Sequence, residues 1–416
     1  MRLGIIVTEF PKTTETFILR DVMQFSREGH EIRLYHMSRF RKHDEVHDFA
    51  RPILGWARSF GFILDRRVLG ALGRAVLRKP LTLLKIMLDL IRGFWRHPVI
   101  LAKSLVILPK CLAIAEDLTA WGADHVHGEF ASHPATCCWI VGRVTRLPYS
   151  VSCRAHDIFI TQAMLDRKLG EAAFIRTITD YNVRFLKERV PALAHREMHV
   201  IHSSLDTDHV PALERTPDGP FHVLYVGSLE VRKGIDFLLE ALHSAGDKLG
   251  TWKLSLIGAG PLEQHLRSQV AGLGLQDHVE FLGPQPHETV SRYYGLAHVV
   301  VVPSIIGPGG RTEGIPNVVI EALAHQRPVI TTRVSGIPEL VEDRVTGSLV
   351  EPEDAAAIAA RLVEIHDDPA AAYAWARHGR QRVVEEFNLV RNVRRQLELF
   401  ASHTADRAAA LADRNR

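Results

Sequence analysis

Two glutamates eight residues apart give this chain its most specific chemical signature. In the string EGIPNVVIEALAHQRPVI, Glu313 precedes Gly314, Ile315 and Pro316, and Asn317 opens a predicted helix that carries Glu321 about one turn in. Proline fits a helix entry because its missing N–H forfeits no bond there. The amides left free at such a start form a ready anion site. From the loop Glu313 can face a sugar above phosphates, while Glu321 can accept hydrogen bonds from paired ribose hydroxyls. A lone glutamate at a helix start is otherwise only a charge that the dipole favours; the length of the string argues for function. In a second string, VGSLEVRKG, a predicted strand ends in a glycine turn at Gly227 and then offers Arg232 and Lys233 before a helix from Ile235. Open α/β sheets bind ligands at such strand ends. The expected task of the two cations is to neutralise a departing diphosphate, which a divalent metal would otherwise do. Without the glutamate motif, two basic residues before a helix would read as solvated surface.

The elements that must position these residues are legible as alternation. Short β-branched runs at 3–7, 31–35, 125–127, 149–152 and 174–179 are separated by helical patterns, which predicts an α/β fold with parallel sheets and crossover helices. A second series starts at Phe221 and continues through WKLSLIG, HVEFLG, HVVVVP, RPVITT and TGSLVE. A length of 416 residues also exceeds what one core usually organises, so two domains are expected. The Pro-, Asp- and Thr-rich stretch 202–220 reads as the connection, with the boundary near Pro211.

Composition narrows the classes further. The net charge is only +3, so an anionic partner would be met locally. Residues 66–110 hold ten Lys or Arg against one acidic residue, Asp89, and within them 81–96 is an amphipathic helix by its spacing. That segment either packs its apolar face on the N-domain or touches anionic lipid. Cys111, Cys137, Cys138 and Cys153 show no CxxC spacing, which argues against a disulfide framework or a zinc site. Residues 1–7 are too short for a signal peptide. The longest uncharged stretch, 293–310, is broken by Pro303, Gly307 and Pro308, so it is not expected to span a membrane, and the chain is expected in the cytosol.

In order and spacing, the strings VGSLEVRKG, LIGAGPL, FLGP, EGIPNVVIEALA, PVITTRVSGIPELV and TGSLVEPED resemble the C-domain of the GT-4 glycosyltransferase family over 221–354. The resemblance implies a GT-B fold: two Rossmann-like doubly wound domains facing across a cleft, with a C-terminal helix crossing back to the N-domain. Its division would be an acceptor-binding domain at 1–210, with a basic helical segment at about 60–115, and a nucleotide-sugar domain at 211–382. A returning helix at 383–402 and a frayed tail at 403–416 would follow. The resemblance also implies that Arg232, Lys233, Glu313 and Glu321 hold the donor, with Gly227, Gly258, Gly314, Ile315, Pro316 and Asn317 around it. Anomeric configuration would be retained, with neither metal nor other cofactor.

The opening TEFPKTTETFILRD resembles that of the branch that builds bacterial exopolysaccharides such as colanic acid and amylovoran. His156 in SCRAHDIF resembles the family histidine that contacts the donor sugar, while His127 and His133 read as ordinary core or surface residues. Thr14, Glu15 and Thr16 occupy the first strand-to-helix turn, where many members have paired glycines. The threonine hydroxyls could substitute for those glycines, or Thr14 could cap a helix from Glu15. Asp206, Thr207 and Asp208 spell DxD but lie in the connection, so they read as an acidic linker.

The implied partners are a UDP- or GDP-sugar, a glycan or polyprenyl-linked acceptor, and the anionic inner membrane face through 66–110, with no nucleic acid. The implied setting is cytoplasmic or peripheral, in exopolysaccharide or lipopolysaccharide synthesis. Three rivals remain: a nucleotide-sugar hydrolase or epimerase on the same fold, a noncatalytic nucleotide-sugar-binding subunit, and a dinucleotide oxidoreductase. For the last, the GAGP turn at Gly258 lacks the full G-x-G-x-x-G fingerprint.

Overall fold

Apolar runs too short for a helix and bounded by Gly, Pro or Asp form the strands of two sheets in the computed structural model, which describes residues 1–12, 15–40 and 48–414. Parallel sheets are covered on both faces, so their strands read as unbroken hydrophobic runs; the VVVV of Val299–Val302 is buried at every position. The chain divides into unit 1, Met1–Ser204 with Leu389–Arg416, and unit 2, Leu205–Asn388.

Unit 1 contains β1 (Arg2–Val7), β2 (Glu31–His36), β3 (Ala57–Arg58), β4 (His125–Glu129), β5 (Tyr149–Cys153), β6 (Phe174–Thr177) and β7 (His199–Val200). Their spatial order is β3-β2-β1-β4-β5-β6-β7, and every pair is parallel. Unit 2 contains β8 (Phe221–Val226), β9 (Trp252–Ile257), β10 (Val279–Gly283), β11 (Val299–Val302), β12 (Val329–Thr332) and β13 (Ser348–Val350). They run β10-β9-β8-β11-β12-β13, again all parallel. Both sheets are thus doubly wound as expected. Their strand order reverses between β1 and β4 and between β8 and β11, the places where such sheets open a crevice for a ligand.

Several boundaries differ from the sequence reading for local reasons. The unit boundary precedes Pro211 because the Leu205 N–H already donates to the Phe387 carbonyl at 2.8 Å, inside unit 2. β6 stops at Thr177 rather than 179 because the Thr179 hydroxyl caps the next helix, accepting the Asn182 amide at 3.1 Å. The last helix starts at Leu389, not 383, and continues to Arg414 through the expected frayed tail. Its Leu389, Val393, Leu397 and Phe400 recur at helical spacing and are buried in the unit 1 core with Leu19, Val22 and Phe25 of the helix Thr16–Arg27.

The basic segment folds as three helices, Arg66–Arg78, Pro80–Phe94 and Pro98–Trp121. The last is long and apolar enough to cross a membrane by length and composition, a feature the sequence reading passed over. Its stretch from Ile107 to Ala115 lies in the core of unit 1, including Pro109 and Lys110. All four cysteines are buried free thiols.

Candidate active site

In unit 2 the switch point is built by the turns after β8 and β11. The turn after β8 runs through a short 3-10 helix, Val231–Lys233, into Gly234 and the helix Ile235–Ala245. Gly234 sits at φ +63°, and a Cβ there would lie 2.0 Å from the Pro303 carbonyl oxygen. Only glycine lets this turn close onto the end of β11. The same holds for Gly258 after β9, at φ +139°, where a Cβ would meet the Gly227 oxygen at 1.9 Å.

This packing brings Arg232 and Lys233 to Glu313. Glu313 Oε1 lies 2.9 Å from Arg232 Nη1 and 2.5 Å from Lys233 Nζ, and its Oε2 accepts the Ser304 hydroxyl at 2.9 Å. Arg232 Nε also donates to Glu230 at 2.9 Å. Burial alone would weaken the charge on Arg232, but Glu313 and Glu230 more than offset it and raise its pKa. Burial likewise opposes ionisation of Glu230, yet its hydrogen bond to Arg232 wins and lowers its pKa. The two cations and the two carboxylates form one charge-balanced cluster, with Glu313 only 8% exposed.

The helix Asn317–Ala324 starts directly after Pro316. Val319 and Ile320 N–H groups turn back to the Pro316 carbonyl. Glu321 accepts the Tyr294 hydroxyl at 3.2 Å; burial, with the Glu321 charge second, pushes that phenol's pKa well up. Among the other expected donor residues, Asn317 is exposed, while Ile315 packs its side chain in the core with Val319 and Ile320. Ile315 can therefore offer a ligand only its backbone. Ser304, Tyr294 and Glu230 were missed by sequence reasoning, as was Thr312, whose hydroxyl is buried without a partner. Ser304 had a usable signal, since it follows the buried β11 and so stands at the ligand-binding edge.

In unit 1, His156 lies in the short helix His156–Phe159 after β5 and is exposed. Its ring leans on Phe130 at 5.3 Å. With Thr8, Phe94, Ser132, His133 and Lys168 it lines a cavity of about 190 Å³ at the ends of β1, β4 and β5. Asp157 fixes the loop, accepting the amides of Ala131 at 2.7 Å, Arg154 at 3.1 Å and Ala155 at 2.7 Å. Burial lowers the Lys168 ammonium to about 8, and its Nζ donates to the Ala131 carbonyl at 2.7 Å. Burial, helped by Lys168, also lowers His133 to about 4. His133 therefore lines the same cavity as His156, whereas His127 is a core residue held by Ser150 and Ser152.

Of the expected N-domain loop, Thr14 lies outside the described residues. Glu15 is buried with its carboxylate on Lys12 at 2.8 Å, and Thr16 is the first residue of its helix. In the connection Asp206 pairs with His209 at 2.8 Å, and Asp208 accepts from Asn388 at 3.3 Å. A larger cavity in unit 2, about 560 Å³, is lined by Phe221, Thr251 and His298. These residues begin or precede strands, so it lies at the edge of the sheet opposite the charged cluster.

A family model described as "Glycosyl transferases group 1" matches residues 220–368. The amylovoran biosynthesis glycosyltransferase AmsK of Erwinia amylovora is 35% identical over 169 residues, 41% of this chain and 42% of that protein. The chain thus spans less than half the length of this curated relative. Glycogen synthase of Mycobacterium tuberculosis is 28% identical over 83% of this chain and 78% of its own. Among solved structures, Anabaena HepE in complex with UDP superposes with a TM-score of 0.70 at 16% identity, covering 97% of this chain and 100% of that one. That likeness establishes the GT-B architecture. The motif, the strand order and the family model thus coincide on residues 220–368, which match the glycosyl transferases group 1 family.

Proposed function

We propose that the chain is a retaining, metal-independent glycosyltransferase that moves a hexose from a nucleotide diphosphate sugar to a glycan or lipid-linked acceptor in exopolysaccharide synthesis. The observation that carries this reading is the Arg232–Lys233–Glu313 cluster at the switch point of unit 2, with Glu321 one helical turn past the Asn317 amide. An incoming diphosphate would compete with Glu313 for the two cations. They would then carry the charge that grows on the leaving phosphate, and the freed Glu313 carboxylate would face the sugar. Glu321, held by Tyr294, suits a pair of ribose hydroxyls. The acceptor hydroxyl would attack from the face that the diphosphate leaves, the leaving oxygen taking its proton. AmsK, whose name gives amylovoran biosynthesis, supports the exopolysaccharide setting, and UDP in HepE supports a nucleotide donor.

Calorimetric titration with UDP, GDP and ADP, with and without chelator, tests the reading. Chelator-insensitive binding of one nucleotide is expected, weakened at least tenfold in Glu321→Ala. With the matching nucleotide sugar and acceptor, Arg232→Ala or Lys233→Ala should reduce turnover by roughly two to three orders of magnitude, as when a preorganised charge partner is removed. Binding that needs a divalent metal would sink the metal-independent mechanism. Full sugar release without acceptor would instead make the chain a hydrolase.

A further inference from the structure

The helix Pro80–Phe94 carries a wide apolar arc, only part of which is buried. One face, with Leu83, Ile86, Leu90 and Phe94, is buried in the core of unit 1. The other presents Leu81, Leu84, Leu88 and Ile91, with Trp95 just beyond the helix, to solvent; Leu81 is 74% and Trp95 67% exposed. Steps of three and four residues keep these side chains on one stripe. The apolar stripe of a surface helix normally faces a core, so this exposed part of the arc calls for a second covering.

The charges identify the covering. Arg78, Lys85, Arg92 and Arg96 flank the stripe, and none forms an ion pair among the described residues. Asp89, the one acidic residue between 66 and 110, is turned inward, 3.7 Å from Arg143 and paired with Arg167. Arg96 lies over the Trp95 ring at 5.4 Å. A protein partner would need acidic groups around an apolar groove. An anionic bilayer offers both an apolar interior and a negative surface, and a stripe of Leu, Ile and Trp edged by Lys and Arg suits its interface.

We infer that the outer face of the helix Pro80–Phe94, with Arg78 and the segment from Trp95 to Arg96, is a docking surface for an anionic lipid bilayer. The inference goes beyond the glycosyl-transfer reading and does not depend on catalysis. It is tested by sedimenting the full chain with vesicles of phosphatidylglycerol and phosphatidylcholine in equal parts, and with phosphatidylcholine alone. At roughly 0.1 M salt the protein should pellet with the anionic vesicles. The variant Leu84→Ser, Leu88→Ser, Ile91→Ser should lower the partition constant at least about tenfold. The variant Lys85→Gln, Arg92→Gln, Arg96→Gln should lower it by about fivefold per charge and flatten its salt dependence. Both variants change exposed residues, so their unfolding temperature should match that of the parent. Absence of vesicle binding, or binding unchanged by the Ser variant, overturns the inference. So does concentration-dependent self-association that the Ser variant abolishes, because a second copy would then cover the stripe.

Discussion

Glu313 shows how one carboxylate can be held by partners that the sequence scatters. Its cations precede it by about eighty residues, and Ser304 by nine. The glutamates, Arg232 and Lys233 were legible because each falls in a long string with a chemical reason for its spacing. Ser304 and Tyr294 were not, because a serine after a strand and a tyrosine in a helix acquire meaning only when folding sets them on a carboxylate. Removing the hydroxyl isolates its contribution. Ser304→Ala should leave Glu313 Oε2 without its donor while the cations still hold Oε1, costing about 1–2 kcal/mol in urea unfolding. Turnover should fall about tenfold with nucleotide affinity unchanged, if Glu313 acts on the sugar and not on the nucleotide. His156 resisted a residue-scale reading: the motif singled it out, but the structure shares its cavity with His133 and Lys168, which looked unremarkable in sequence.

At the scale of elements, the strands were legible because parallel pairing demands unbroken apolar runs, and the β8 to β13 series was found throughout. The two-residue edge strands β3 and β7 were not, since two residues carry no period. The helix Pro98–Trp121 escaped notice because Lys103 and Lys110 interrupt an otherwise apolar run, and Lys110 is nevertheless buried, donating to the Met37 and Ser38 carbonyls. The turn from β8 into its helix tolerates little substitution. Gly234→Ala would combine a left-handed backbone with a Cβ against the Pro303 carbonyl. A cost on the order of 3 kcal/mol is expected, read in urea unfolding, together with loss of nucleotide binding as Arg232 and Lys233 are displaced.

For the whole molecule, acidity acts on both units. Burial brings His36 and His133 in unit 1, and His222 and His325 in unit 2, down to about 4, against about 6.5 for an unfolded histidine. Between these values the unfolded chain binds more protons, so stability is full above pH about 6.5 and is lost as pH falls towards 4. Each histidine removes on the order of 2 kcal/mol by pH 5. The melting temperature should therefore drop between pH 7 and pH 5, above the range in which carboxylates titrate, and His325→Gln should reduce the drop. Two sheets were legible from length and alternation, but the division of the chain between them was only partly so, because the crossing points lie in a parallel bridge between Leu205 and Asn388. That topology sets an order of events during synthesis. Unit 1 lacks the side chains of Leu389, Val393, Leu397 and Phe400 until after the ribosome has translated all of unit 2. A nascent chain therefore carries the first 204 residues with one face of their sheet incompletely covered, and unit 2 is the first part whose full sequence can leave the exit tunnel and close its core.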